Sequence, residues 1–285
     1  MRRALNWTLR ATVAALIAGI AFAGWVWFAS EAHLESFARP APFATPIPTD
    51  AASVARGDHL VKTRGCGGCH GDELQGQQMW GYAVAPNLAQ LVRQVSPAEI
   101  EAAVRHGIGH DGKALYSMPA YSFIRLRDAD LADMIAYLRS VPVIPHDLPR
   151  ATLPWSIRFD LARGTDRAIA GFLSKVPPLK HAADEDSAVA RGEYLAMTTC
   201  IECHGFSLRA DSPFGDETAP DLIVIAGYDA SAFAHLMRSG KALGERELRM
   251  MSGVARSRFV HFTDDEVRDL YSFLSDMAAR AAAAR

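Results

Sequence analysis

The sequence has little net charge and no long run of charge of one sign. Its 30 lysines and arginines nearly balance 32 aspartates and glutamates, which gives a formal net charge of -2 over 285 residues. The sequence therefore offers no basic field to hold nucleic acid and no charged interaction tail. Hydrophobic residues make up 49% of the chain and charged residues 22%, a balance typical of a globular protein. The length suffices for two domains.

Cysteine is scarce, and all four cysteines fall in two C-x-x-C-H pentads, at residues 66–70 and 200–204. No cysteine is left for a disulfide framework or for an additional metal ligand. In such a pentad two thiols can bond to the two vinyl groups of a haem, while the adjacent histidine presents a ring nitrogen to the iron. The sequence therefore predicts two covalently bound haems c, attached through Cys66, Cys69, Cys200 and Cys203.

Two other interpretations of the pentads are a thioredoxin-like dithiol and a structural zinc site. The dithiol would need a strand leading into the motif, and it gives the histidine no role. Zinc would draw four thiolates from pairs more than 130 residues apart, and it would need neither histidine. Haem is the favoured interpretation, with His70 and His204 as ligands to the two irons.

An internal repeat sets the number of domains. The tetrad V-A-R-G at 54–57 recurs at 189–192, and the second pentad begins 134 positions after the first. Pro86 and Pro220 each follow the first cysteine of their pentad by 20 positions. These prolines are expected to fix a backbone carbonyl that accepts a hydrogen bond from the histidine ring nitrogen that does not bind iron. A simple turn would also explain the two prolines, and both explanations can hold together.

Strand signals are scarce, and both repeats end in a segment with helical periodicity. Apolar residues recur with i, i+3, i+4, i+7 spacing over 131–138 and 267–274. Capping-box patterns at 96–99 and 263–266 predict two helix starts. We therefore predict an all-α fold.

The repeats place two similar domains at 51–142 and 186–285, joined by a connector at 143–185. Several prolines make one long helix unsuitable for this connector. Apolar side chains alternate with other residues from Trp155 to Leu161. We interpret the connector as an ordered strap across both domains, because a free linker has little reason to carry apolar surface. A partner-docking segment is the alternative.

The amino terminus predicts one membrane-spanning helix. Arginines precede an uncharged run at 11–29, whose 19 residues approach the ~20 that a helix needs to cross a bilayer core. Residues 1–10 would be cytoplasmic and residues 30–50 a linker. The positive-inside bias places the remainder of the chain in the periplasm, outside the inner (cytoplasmic) membrane of a bacterium.

A cleaved signal peptide is the alternative, because residues 21–23 have the small-x-small pattern of a cleavage site. Cleavage would leave Trp25, Trp27 and Phe28 near a new terminus. An uncleaved anchor instead gives these rings a place at the outer membrane interface. Both interpretations export the two pentads.

Each iron needs a sixth ligand, or it stays open to small molecules. Met118 precedes a proline, which favours an extended loop that can lay a thioether over the haem face. An offset of 133 places Met251 opposite Met118 in the repeat, so Met251 is the predicted ligand of the second iron. The adjacent Met250 is an alternative, and further substitutes are His106, His110, His235 and His261.

The two repeats resemble class I cytochrome c domains in their first helix, pentad, proline-containing loop, Met-Pro loop and a final helix ending in Y-L-R at 137–139. More narrowly, D-G-K-A-L at 111–115, followed by Met118-Pro119 and by D-L at 130–131, is similar to the cytochrome subunits of membrane-bound alcohol and sugar dehydrogenases. Those subunits commonly carry three such domains. The resemblance implies two tandem cytochrome c-like domains behind one transmembrane helix.

The resemblance also implies an electron-transfer protein rather than an enzyme. Its expected donors and acceptors are a dehydrogenase, a quinol-oxidising complex, a terminal oxidase or a soluble cytochrome. The alternative is a dihaem enzyme with one open or weakly ligated iron, either peroxidase-like or thiosulfate dehydrogenase-like. A methionine candidate for each iron argues against the first, and the lack of a fifth cysteine argues against the second.

Overall fold

Helices dominate the computed structural model, which describes residues 2–79, 81–149, 151–165, 168–182, 185–211 and 219–284. Residue 1 of the predicted cytoplasmic segment and residues 150, 166–167 and 183–184 of the predicted connector lie outside this part. Within these residues the strands form two short antiparallel pairs, β1 (Gln77–Gln78) with β2 (Val84–Ala85) and β3 (Lys241–Ala242) with β4 (Arg246–Glu247). The predicted all-α class is confirmed.

The helices follow the order of the sequence repeat. The N-terminal helix is α1 (Arg2–Glu35). The first repeat contains α2 (Ala51–Thr63), α3 (Cys66–His70), α4 (Leu88–Leu91), α5 (Pro97–His106) and α6 (Asp128–Ser140). The connector contains α7 (Trp155–Ala162), and the second repeat contains α8 (Ala188–Thr199), α9 (Ile201–His204), α10 (Ala230–Ser239), α11 (Arg249–Ser257) and α12 (Asp264–Ala283). Short 3-10 helices lie at Ala120–Ser122, Ile169–Lys175, Leu222–Gly227 and Phe259–His261.

Side-chain caps explain where several of these helices begin. Both predicted capping boxes are present, at Ser96 with Glu99 before α5 and at Thr263 with Glu266 before α12. In each box the side chains satisfy backbone N–H groups that the first helical turn leaves without a partner.

In each repeat the first helix crosses the last helix at a glycine. A β-carbon on Gly57 would lie 2.6 Å from the carbonyl carbon of Asp133, and one on Gly192 would lie 2.6 Å from that of Asp269. Only glycine permits such a close backbone approach. The arginine before each glycine bridges the side chain of the same aspartate, at 2.7 and 2.6 Å. The repeat therefore preserves a helix crossing as well as a motif.

Each repeat contributes an aromatic side chain to the core of the other. Tyr194 of the second repeat packs into the core of the first, and Tyr121 of the first packs into the core of the second. The Tyr121 ring lies 5.4 Å from that of Phe206. His59 Nε2 lies 2.9 Å from a carboxylate oxygen of Glu266, in a polar contact between the repeats. The repeats are therefore packed against each other directly.

The connector is helical where its apolar residues alternate. Leu161 is buried beside Leu34 and Ile108, and Phe172 is buried in the core of the second repeat. The connector thus contacts the N-terminal helix and both repeats through described residues.

Helix α1 is longer than the predicted anchor at 11–29. Asn6–Glu35 is the one described helix that is long and apolar enough to cross a membrane, with a mean hydropathy of 1.9 over its best window. Its last turn docks onto the protein: Glu31 accepts a hydrogen bond of 2.7 Å from Arg158 and pairs with Lys113. The first residues of the predicted linker at 30–50 are therefore helical.

Candidate haem sites

Each pentad forms a short helix at the end of the first helix of its repeat. Gly65, with a φ of 75°, separates α2 from α3 in a left-handed conformation that favours glycine. In the second repeat Cys200 caps α8 and leads directly into α9. Cysteines three positions apart on a helical turn lie on one face. Both pairs of thiols therefore have the spacing that attachment to one flat cofactor requires.

A proline carbonyl orients the histidine of each pentad. His70 Nδ1 lies 2.8 Å from the carbonyl oxygen of Pro86, and His204 Nδ1 lies 2.8 Å from that of Pro220. A carbonyl can only accept, so each Nδ1 carries the proton and each Nε2 lone pair is left for a metal.

The electrostatics of these histidines also suit metal binding. Burial lowers the pKa of His70 and of His204, although the bond to the proline carbonyl acts in the opposite direction. Both rings are therefore neutral at neutral pH, which is the form that ligates a metal.

The thiols are less suited to zinc. Burial raises the pKa of Cys66 to about 11 and also raises that of Cys200. Structural zinc requires thiolates. Among the described residues no group of three or more histidine, cysteine or acidic side chains is placed to hold a metal ion. The described residues therefore provide no cluster for a bare zinc ion, which leaves the thiol pairs for covalent bonds to a cofactor.

Both pentads line one continuous cavity of about 1740 Å³. Typical small-ligand pockets measure ~300–1,000 Å³, so this cavity has room for more than one ordinary ligand. Apolar side chains such as Val61, Leu131, Phe233 and Leu270 form much of its wall. The cavity, the oriented histidines and the paired thiols together fit two covalently attached haems.

All three methionines considered as ligands line this cavity. Met118 lies in a bend before Pro119 and packs against the first core, whereas Met251 lies in the first turn of α11 and packs against the second core. Met250 is 60% exposed. These positions favour Met251 over Met250, and both assignments stay predictions.

The four histidines considered as substitutes differ in their surroundings. His106 and His235 each lie beside a glutamate, at 2.9 and 3.2 Å, and neither is among the residues that line the cavity. His110 and His261 are exposed and contribute to the cavity wall. None of these four histidines is buried as His70 is.

Arg258 is a residue of the site that the sequence does not reveal. Its Nε donates a hydrogen bond of 3.0 Å to the carbonyl oxygen of Thr63, and it also bonds the carbonyl of Arg64, just before the first pentad. Its Nη1 lies 3.6 Å from Glu202, inside the second pentad. Arg258 therefore links the two pentads across the interface between the repeats.

Comparisons with known proteins agree with this geometry. The family model described as Cytochrome c matches residues 54–142 and 189–278. The chain is 24% identical over 270 residues to the fructose dehydrogenase cytochrome subunit of Gluconobacter japonicus, covering 83% of this chain and 55% of that one. It is 25% identical to the gluconate 2-dehydrogenase cytochrome c subunit of Pantoea cypripedii, covering 81% and 61%.

A third relative is the alcohol dehydrogenase (quinone), cytochrome c subunit, of Gluconobacter oxydans (strain 621H). It is 26% identical, and the match covers 81% of this chain and 56% of that one. The chain thus spans little more than half the length of the curated relatives it matches. The family model covers more than half of this chain, in two regions that each contain one pentad. The protein therefore belongs to the cytochrome c family.

Proposed function

We propose that this protein is a membrane-anchored dihaem cytochrome c of the periplasm, which transfers electrons between redox partners and catalyses no reaction of its own. The observation that carries the proposal is the pair of oriented histidines, His70 and His204, in two pentads that line one cavity. A bound haem c would supply a one-electron couple at each site.

The residues of the chain would hold and tune these cofactors. Cys66 and Cys69, and Cys200 and Cys203, would form the thioether bonds. The proline carbonyls fix the ring planes of the histidines, and such outer partners strengthen a ligand's basicity. Met118 and Met251 would close the sixth positions, a ligation that favours a relatively high reduction potential.

The packing of the repeats supports transfer between the two sites. Both pentads line the same cavity, and Arg258 contacts backbone next to one pentad and a side chain of the other. Aromatic side chains interlock from both sides of the interface. A fixed relative position keeps the distance between the two sites constant, as stepwise electron transfer requires.

The membrane and a dehydrogenase are the proposed partners. The apolar helix at Asn6–Glu35 would anchor the chain in the inner membrane. The relatives are cytochrome subunits of fructose, gluconate and alcohol dehydrogenases, which supports a dehydrogenase as electron donor. The other redox partner would be a terminal oxidase, a quinol-oxidising complex or a soluble cytochrome.

Counting the haems tests the proposal. Mass spectrometry of the denatured protein should find the polypeptide plus two haems, and a pyridine haemochrome assay should give two haems c per chain. The double variants Cys66→Ala/Cys69→Ala and Cys200→Ala/Cys203→Ala should each retain one covalent haem. One haem or none on the unaltered chain would refute the dihaem proposal.

A further inference from the structure

Helix α7 of the connector lies against the outer part of the N-terminal helix. The Phe159 ring centroid lies 5.8 Å from that of Phe22 and 6.4 Å from that of Trp25, and the Trp155 ring lies 6.4 Å from that of Trp27. Trp155 and Phe159 are one turn apart on the same face of α7. Since their partners run backwards along α1, the two helices are antiparallel.

A buried polar cluster fixes α7 at this position. Arg158 donates hydrogen bonds of 2.7 Å to Glu31 and 3.0 Å to Ser30, and its guanidinium carbon lies 3.9 Å from the ring centroid of Trp27. Arg158 is only 9% exposed. The depth of α7 relative to α1 is therefore set by paired charge as well as by ring contacts.

The rings at this contact stay largely uncovered. Trp155 is 56% exposed, and Trp25, Trp27 and Phe28 are exposed on the adjoining surface of α1. Soluble surfaces rarely gather large apolar side chains in one patch, and tryptophan is enriched where a membrane meets water. Arg163, exposed just after α7, lies with its guanidinium carbon 5.2 Å from the Phe159 ring centroid.

The position of these ring contacts along α1 indicates that α7 contacts the lipid bilayer. Phe22, Trp25 and Trp27 belong to the uncharged run that would enter the bilayer. A helix rises about 1.5 Å per residue, so Phe22 lies about 10 Å below the end of that run at Ala29. Interfacial helices bury their apolar face by ~5–10 Å. A helix packed at this level cannot stay outside the interfacial layer.

We propose that α7 is a second membrane contact, which lays Trp155 and Phe159 into the outer interface of the bilayer while Arg163 reaches the lipid phosphates. This inference rests on the membrane anchoring proposed above. The haem-binding repeats would then be held in one orientation on the membrane surface rather than swinging on a flexible tether.

Alkylation of introduced cysteines tests this proposal in the full-length, haem-loaded protein in phosphatidylcholine and phosphatidylglycerol nanodiscs. Native thiols bonded to haem would not react, so the unaltered chain supplies the background. The reagent is a water-soluble maleimide, applied to Trp155→Cys, to Ile17→Cys inside the anchor and to Leu243→Cys, whose site is exposed on the second repeat. Trp155→Cys should react about tenfold more slowly than Leu243→Cys.

Each outcome has one meaning. Slow reaction at both Trp155→Cys and Ile17→Cys supports the inference. If Trp155→Cys reacts as fast as Leu243→Cys while Ile17→Cys stays protected, the inference is overturned and the anchor stands, and α7 is then left for a protein partner. Fast reaction of Ile17→Cys overturns the anchor and the inference together.

A measurement on the unaltered chain guards against variants that fail to fold. Photoactivatable phospholipids in the same nanodiscs should leave lipid adducts on peptides that contain Trp155 or Phe159. Adducts on α1 with none on α7 would refute the interfacial position of α7.

Discussion

Gly192 lies where helix α8 of the second repeat packs closely against helix α12, and its replacement by alanine should destabilise the protein. The new β-carbon would lie 2.6 Å from the carbonyl carbon of Asp269 and 2.7 Å from the β-carbon of Phe273, and closer still to the carbonyl oxygen. These atoms belong to backbone or are fixed to it, so no side-chain rotation relieves the overlap. The two helices must move apart.

The cost follows from overpacking and helix propensity. Inserting a methyl group into a packed contact costs ~1–3 kcal/mol, and the rigid surroundings place this site at the upper end. The higher helix propensity of alanine offsets ~0.5–1 kcal/mol of this cost, because alanine loses less backbone entropy than glycine on folding. The net loss should be about 2 kcal/mol, which lowers the guanidinium midpoint by about 0.5 M.

Gly253, in helix α11 of the same repeat, is the matched control. A β-carbon there meets no heavy atom within 4 Å, so Gly253→Ala should gain ~0.5–1 kcal/mol. Unfolding would be followed by circular dichroism on samples of equal haem content. If Gly192→Ala and Gly253→Ala have the same midpoint, the proposed helix crossing is wrong.

Three further predictions concern the haems and the contact between the repeats. Met251→Ala should lower the potential of the second haem and open its iron to carbon monoxide, whereas Met250→Ala should change neither; the opposite result in a redox titration would exchange the two assignments. Arg258→Gln removes a positive charge between the pentads, so both potentials should fall by about 40 mV, equivalent to about 1 kcal/mol, and unchanged potentials would refute its role. Burial raises the pKa of Glu266, but hydrogen bonds from His59 and from the helix cap lower it by more. The net result is a pKa below the ordinary value of a glutamate. The ionised Glu266 carboxylate therefore stabilises the protein fully above the pKa it has in the unfolded chain, and this contribution is lost as pH falls through its pKa in the folded protein. Glu266→Gln should flatten this part of the stability profile, which denaturant unfolding at several pH values would measure.

Local patterns carried most of what the sequence predicted. The pentads, the prolines 20 positions later and the capping boxes are defined by short spacings, and the repeat showed that they occur twice. These features predicted the helical fold and the cytochrome c family, and both are confirmed. The proposed methionine ligands have less support in the sequence, because an offset of 133 selects Met251 whereas the pentads are 134 positions apart, and a further decrease of one position in the offset would select Met250.

Contacts between distant segments were not predictable. Arg258 bonds to carbonyls 194 and 195 positions away, and Tyr121 is buried in a core built mainly from the other repeat. Such pairs leave no periodic signal in the sequence, because their proximity results from the packing of complete domains. The antiparallel contact of α7 with the N-terminal helix belongs to the same class.

The absorption spectrum of the dithionite-reduced protein, recorded before and after carbon monoxide, tests the proposed carrier function most directly. Carbon monoxide binds a ferrous haem only where the sixth position is open. An unchanged c-type spectrum is the predicted result, with both irons closed by ligands from the protein. A shift at either haem would reveal an open iron and contradict the proposal that this chain only carries electrons.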